Sequence, residues 1–324
     1  MSPDNTPPIP GITDSPARPA PYIEPEYRAS AFHAAAAMRP RTRIGRHLLF
    51  FLVTAWTMTI NGAWLSPVVL ADPGGLSSAF DLTFLARGIP YALALMAILG
   101  VHELGHYVAC RIYGVDASLP WFLPGPPAPI GLFGTFGAFI RIRSAFPDRN
   151  ALFDVGIAGP IAGFLVAVPV MAWGMSSSDV VPITGELTRV DVPLLWHLID
   201  FWLEAPPEGH ARLLSGPLMA GWVGCLATAL NLLPIGQLDG GHVCYAVSAP
   251  FHRFVSFGAL LGFISLGLFL YPGWIFFAML LILFSPRHPP VMDESVILTP
   301  GRRVVAVVGL LLLVLCFIPR PIRF

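Results

Sequence analysis

The stretch AILGVHELGHYVAC, residues 97–110, sets two histidines and a glutamate inside a run that is otherwise apolar. An ionisable side chain at the centre of a membrane span costs about 2.5–3.5 kcal/mol on insertion scales, so three of them together need a partner that offsets the cost. At 3.6 residues per turn, positions four apart return to nearly the same face of a helix. His102 and His106 can therefore bind one ion together, with Glu103 beside them. This is the H-E-x-x-H arrangement, in which two neutral imidazoles suit zinc and the neighbouring carboxylate takes a proton from the metal-bound water without being a ligand. On this motif alone two other readings stand: histidines hydrogen-bonded between helices with the glutamate as counter-charge, and a proton path of the kind a transporter uses.

The rest of the composition supplies a membrane setting. Of 324 residues, 55% are hydrophobic and only 12% charged, outside the usual balance of soluble domains. The formal net charge of +0 excludes the broad basic surface that tracks nucleic acid. Cys110, Cys225, Cys244 and Cys316 lie in or beside apolar segments, at spacings that fit neither a zinc ribbon nor a disulfide framework.

Residues 1–46 are proline-rich and lack apolar periodicity, so they read as a disordered cytoplasmic tail. They also lack the pattern of a cleaved signal peptide, so the first apolar segment, 47–71, is expected to remain as an anchor span. Arg39, Arg41, Arg43 and Arg46 just before it place the N-terminus inside. Further spans are expected at 89–112, 151–174, 214–236, 254–271, 273–285 and 303–318, the fifth short enough to form a hairpin at Tyr271, Pro272 and Gly273. Arg141, Arg143 and Arg149 place the loop 113–150 inside, and the acidic loop 175–213 falls outside. Within that outer loop, 192–205 reads either as a helix lying in the interface or as an ordinary structured loop. Arg320 and Arg323 in the tail run against the bias if the C-terminus is outside.

A catalytic zinc takes a third protein ligand and leaves its fourth position to water. ATALNLLPIGQLDGGHV, residues 227–243, is the candidate source, because there a span ends in a Gly- and Pro-containing turn that bears Asp239. Irregular backbone at membrane depth is tolerated where it is buried in protein or lines a cavity. The alternating direction of the spans brings this turn and the HELGH segment to the same cytoplasmic end, roughly 8–14 Å in from it at 1.5 Å per residue.

HELGH in one span, NLLPIGQLDGG ending another, and GTFGAFIRIRSAFPDRNALFDVGIAGPIAGF between them resemble the site-2 protease family of intramembrane zinc metalloproteases. The resemblance covers about 89–250. It implies an all-α polytopic membrane protein of about six or seven transmembrane helices, with a re-entrant β-like segment, 119–140, beside the catalytic helix. It implies a Zn²⁺ cofactor held by His102, His106 and Asp239, with Glu103 as general base and later acid. Asn231 is implied to hold the substrate backbone or the developing oxyanion. Gly156, Gly159, Pro160 and Gly163 match the family's glycine-rich span and are read as packing residues. His242 is read as lying at the edge of the site, since a fourth protein ligand would close the metal to water.

The implied reaction is hydrolysis of a peptide bond in or near the transmembrane segment of a single-span protein, already trimmed outside by another protease in many cases. A re-entrant edge offers an unwound substrate something to pair with, or else is a buried loop without substrate contact. The expected domains are the tail (1–46), an anchor and external loop (47–88), the protease core (89–250), and a C-terminal hairpin and final span (251–324). No segment between the two motifs has room for a PDZ-like insertion. The expected location is a bacterial cytoplasmic membrane, with a chloroplast or other organelle membrane as the alternative that the arginine-bearing tail leaves open. A transporter or a non-proteolytic zinc scaffold remain the alternatives; Glu103 argues against the scaffold, and the absence of an internal repeat argues against an inverted-repeat transporter.

Overall fold

A computed structural model describes residues 43–66, 82–128, 130–183, 189–284 and 288–323. The proline-rich tail to residue 42 and the segment 67–81, where the first span was expected to end, lie outside the described residues. Nine helices stand among those described: α1 (Ile44–Trp64), α2 (Leu82–Ile112), α3 (Arg149–Ser176), α4 (Leu194–Leu203), α5 (Gly216–Asn231), α6 (Asp239–Val247), α7 (Ala249–Phe269), α8 (Gly273–Phe284) and α9 (Pro300–Cys316).

Three of these, α2, α3 and α7, are long and apolar enough to cross a membrane. The fold is that of a mostly helical integral membrane protein with small sheets. The span expected at 214–236 is shorter than its apolar run suggests, because α5 stops at Asn231 and the chain turns through Pro234 and Gly236, the latter at φ +53°. Sixteen residues of helix reach about 24 Å, less than a hydrocarbon core of about 30 Å. The expected hairpin at Tyr271–Gly273 forms, joining α7 to the twelve-residue α8.

Helix starts follow local capping chemistry. Asp148, Ser215 and Ser248 each accept a backbone N–H from the first turn of α3, α5 and α7. Pro217, Pro250 and Pro300 occupy first-turn positions that need no N–H donor. The core lies where α2, α3 and α5 meet, around Tyr91, Leu95, Met171, Leu218 and Trp222, all fully or almost fully buried. Arg302 at the start of α9 ties that helix to the core by bonding Asp154 on α3 and the Tyr113 hydroxyl.

The segment expected to be re-entrant and β-like forms an antiparallel hairpin, β1 (Trp121–Pro124) against β2 (Thr135–Phe139), with Trp121 opposite Phe139. Side chains from α1 hold it. The Asn61 amide donates to Gly131 O and accepts from Ala128 N–H, both at 2.8 Å. The Thr57 hydroxyl donates to Gly134 O at 2.6 Å, and His47 Nδ1–H donates to Pro120 O at 3.1 Å. From α2, the Tyr91 hydroxyl donates to Phe133 O at 3.0 Å. Each bond pairs a loop backbone group that lipid could not satisfy. The same polar groups lower the hydropathy of α1, which is not among the three long apolar helices.

At the other end of the molecule, β3 (Val180–Pro182) pairs with β5 (His210–Arg212), and β4 (Arg189–Val190) with β6 (Ile322–Arg323). The second pairing puts β6 on the same side as β4 of the acidic loop 175–213. Helix α4 buries Leu195, Trp196 and Ile199 and turns Leu198, Phe201 and Trp202 outward.

Candidate metal centre

Residues 98–106 of α2 run through the core, and HELGH occupies two successive turns there. His102, Glu103 and His106 are each 4–6% exposed. Burial this deep is possible because α3 presents glycines to them. A Cβ on Gly163 would sit 3.0 Å from His102 Cβ, and in return one on Gly105 of α2 would sit 2.7 Å from Ala158 O of α3. The small residues read as packing positions do pack, and what they pack against includes the histidines themselves.

Asp239 arrives from the break after α5 and opens α6. The two glycines that follow it let α6 fold back on the turn: a Cβ on Gly240 would fall 1.9 Å from Leu232 O, and one on Gly241 would fall 2.4 Å from Gly236 O. The LDGG sequence is therefore a steric requirement for delivering the carboxylate to α2.

The three side chains expected to share a metal meet. His102 Nε2 lies 3.1 Å from His106 Nε2 and 3.1 Å from Asp239 Oδ2, and His106 Nε2 lies 3.2 Å from the same oxygen. Three ligands at 2.0–2.1 Å from a tetrahedral zinc would stand about 3.3 Å apart, close to the triangle found. Tautomer chemistry makes the same point. His106 Nδ1 is 2.7 Å from the carbonyl of Val155, which can only accept, so Nδ1 carries the proton and Nε2 bears a lone pair. That lone pair faces an imidazole nitrogen and a carboxylate oxygen in a buried pocket, an arrangement that calls for a cation. The donor set therefore fits zinc.

Around the triangle lies a cavity of about 200 Å³. Glu103 forms part of its wall, and Ile140, just beyond β2, lines the cavity with it. Asn231, the last residue of α5, points its Nδ2 to within 3.4 Å of His102 Nε2. All five residues singled out from the sequence thus line one cavity, and Ala138 and Phe139 of β2 line it with them. His242 lines it too, but among the described residues only His102, His106 and Asp239 gather ligand atoms as one group.

Sequence reasoning missed His288. It comes from the segment between α8 and α9 and lies 2.6 Å from His242. A histidine in a short RHPP run carries no periodic or spacing signal that would pair it with His242 on α6.

Residues 90–270 match the sequence profile described as Peptidase family M50. The chain is 31% identical over 299 residues to "Probable zinc metalloprotease EGY1, chloroplastic" of Oryza sativa subsp. japonica, covering 84% of this chain and 50% of the relative. It is 32% identical over 248 residues to the protein of the same name from Arabidopsis thaliana, covering 73% and 44%. To "Probable zinc metalloprotease EGY2, chloroplastic" of Arabidopsis thaliana it is 29% identical over 282 residues, covering 85% and 49%. The chain spans about half the length of these curated relatives. Their names place them in chloroplasts, so they lend no support to the bacterial membrane expected from the sequence.

Proposed function

Because the chain belongs to peptidase family M50, the site-2 protease family, we propose that it is an intramembrane zinc metalloendopeptidase that hydrolyses peptide bonds in or near the transmembrane segments of single-span proteins. The observation that carries this reading is the convergence of three acceptor atoms, from His102, His106 and Asp239, in one cavity with the unliganded Glu103 carboxylate. A transport path has no need of three acceptors at tetrahedral-edge spacing, and a structural zinc site has no need of Glu103 beside it.

In this reading His102, His106 and Asp239 hold the zinc. When bound, zinc acts as a Lewis acid and brings the pKa of water at its open position to about 7. Glu103, in the wall of the same cavity, accepts the proton of the attacking water and returns it to the leaving amine. The Asn231 amide donates to the substrate carbonyl as charge develops on its oxygen. Strand β2 has β1 on one edge, and its other edge is the one a locally unwound substrate would join.

The same reading holds six or seven crossings, an N-terminus in the cytoplasm and a centre near the cytoplasmic face. Substrates trimmed first on the outside would release cytoplasmic fragments.

The test compares membrane proteins and their fragments in cells expressing the wild type or Glu103→Gln. Single-span chains that persist uncut only with the variant support proteolysis and name the substrate. Identical fragment patterns, with upstream cleavage shown to be active and zinc still bound, would sink it in favour of a scaffold or transporter.

A further inference from the structure

We propose that His288, which lies beyond the stretch matching the family, is a positioning residue that fixes the tautomer of His242, so that His242 presents an unprotonated Nε2 to the cavity as acceptor for a main-chain N–H of the bound peptide. The inference rests on the proteolytic reading for its last step and on hydrogen-bond geometry for the others.

The geometry runs in one direction. His288 Nδ1 lies 2.6 Å from the carbonyl oxygen of Pro289, which can only accept, so Nδ1 carries the proton. In a neutral ring the other nitrogen, Nε2, is then an acceptor. It lies 2.6 Å from His242 Nδ1, which must therefore donate. The proton of a neutral His242 is used in that bond, and the lone pair is left on Nε2. That nitrogen makes no hydrogen bond among the described residues, and His242 is one of the residues that line the catalytic cavity.

His288 is held firmly enough to act as such a template. Its ring stacks on Tyr245 at a centroid distance of 4.1 Å and an interplanar angle of 18°. The Tyr245 hydroxyl donates to Glu294 at 2.7 Å, and Glu294 accepts from Arg149 at 2.7 Å. Met292 N–H and Asp293 N–H donate to the carbonyls of Phe146 and Pro147 at 2.9 and 3.0 Å. Burial, with His252 close by, pushes the His288 pKa down to about 4, which keeps the ring neutral near pH 7.

An extended peptide lying along β2 still has N–H groups turned away from that strand, and these need such an acceptor. The three metal-facing atoms are committed to the ion, and Asn231 turns its donor nitrogen toward His102. A substrate main chain entering this cavity carries N–H groups whose burial without a partner is costly. The Nε2 lone pair of His242 meets that need.

The test uses the full chain in detergent, with ¹⁵N-labelled histidine and the His242 signal assigned by its loss in His242→Gln. The wild type should show His242 protonated on Nδ1. His288→Leu should lose that preference and lower kcat/KM for a transmembrane peptide by about 10–100-fold, with zinc per chain unchanged. His288→Glu, which supplies an acceptor and no donor, should restore both the tautomer and, to within about threefold, the rate. A wild-type His242 protonated on Nε2, an unaltered rate in His288→Leu, or equal losses in the Leu and Glu variants would overturn the proposal. If the wild type cleaves no peptide at all, the proteolytic reading and the acceptor role fail together, while the ¹⁵N signal still decides whether His288 sets the tautomer.

Discussion

A Cβ placed on Gly159 of α3 would fall 2.1 Å from Nε2 of His106 on α2. The glycine is the wall against which that imidazole is set. Gly159→Ala is expected to push the ring off the triangle, and a displacement near 1 Å at a reacting centre costs about 100-fold in rate. Zinc content and peptide cleavage should fall together. Gly258→Ala on α7, where a Cβ meets nothing within 4 Å, is the control and should leave both intact.

Zinc and base should separate by mutation. Asp239→Ala removes one corner of the triangle and is expected to lower zinc per chain, with cleavage recovering only in excess zinc. Glu103→Gln should keep zinc and lose about 10²–10⁴-fold in rate, the usual contribution of a positioned general base. Metal analysis beside a cleavage assay checks both; zinc loss in Glu103→Gln would make the glutamate a ligand.

The Asn61 amide closes two backbone groups of the hairpin loop. Asn61→Leu fills similar space without either bond, and each buried group left unpaired costs about 1–3 kcal/mol. A lower melting temperature in detergent is the expected result. A melting curve that matched wild type would argue that the loop finds other partners.

Acid should loosen the segment carrying His288. Its folded pKa, pushed down by burial to about 4, lies below the ordinary value of about 6.5. The undocked ring therefore binds the extra proton between those values, and docking weakens as pH falls from about 6.5 to 4. Burial pushes Glu294 up, but hydrogen bonds from Tyr245 and Arg149 hold it below the usual carboxylate range. Its contribution is lost only at lower pH still. Amide exchange across 288–299, corrected for intrinsic rates, should show faster opening at pH 5 than at pH 7. Equal protection would contradict a neutral, buried His288.

The candidate metal centre was legible because its residues are anomalous where they stand. Ionisable groups in an apolar run, and a Gly- and Pro-bearing turn at the end of a span, each need a special reason, and one ion would supply it for both. Helix lengths were less legible: the apolar run through 236 hides the end of α5, since Leu232, Leu233 and Ile235 are buried in a turn as fully as they would be in a helix. The hold of α1 on the hairpin left no trace, because Asn61 and Ala128 are 67 residues apart and a side chain bonding to backbone imposes no residue type on its partner. The β4–β6 pairing was invisible for the same reason, being a two-residue contact between distant loops.

The bonds from His47, Thr57 and Asn61 also bear on what counts as a unit in this protein. Residues 90–270 mark the extent of the sequence likeness, yet four backbone groups of the loop inside that stretch are satisfied by α1, which precedes it. A piece cut at the borders of the likeness would keep every ligand and still lose the brace beneath the strand beside them. Swapping such a piece between relatives, or shortening the chain for expression, would work only if the helix travels with it.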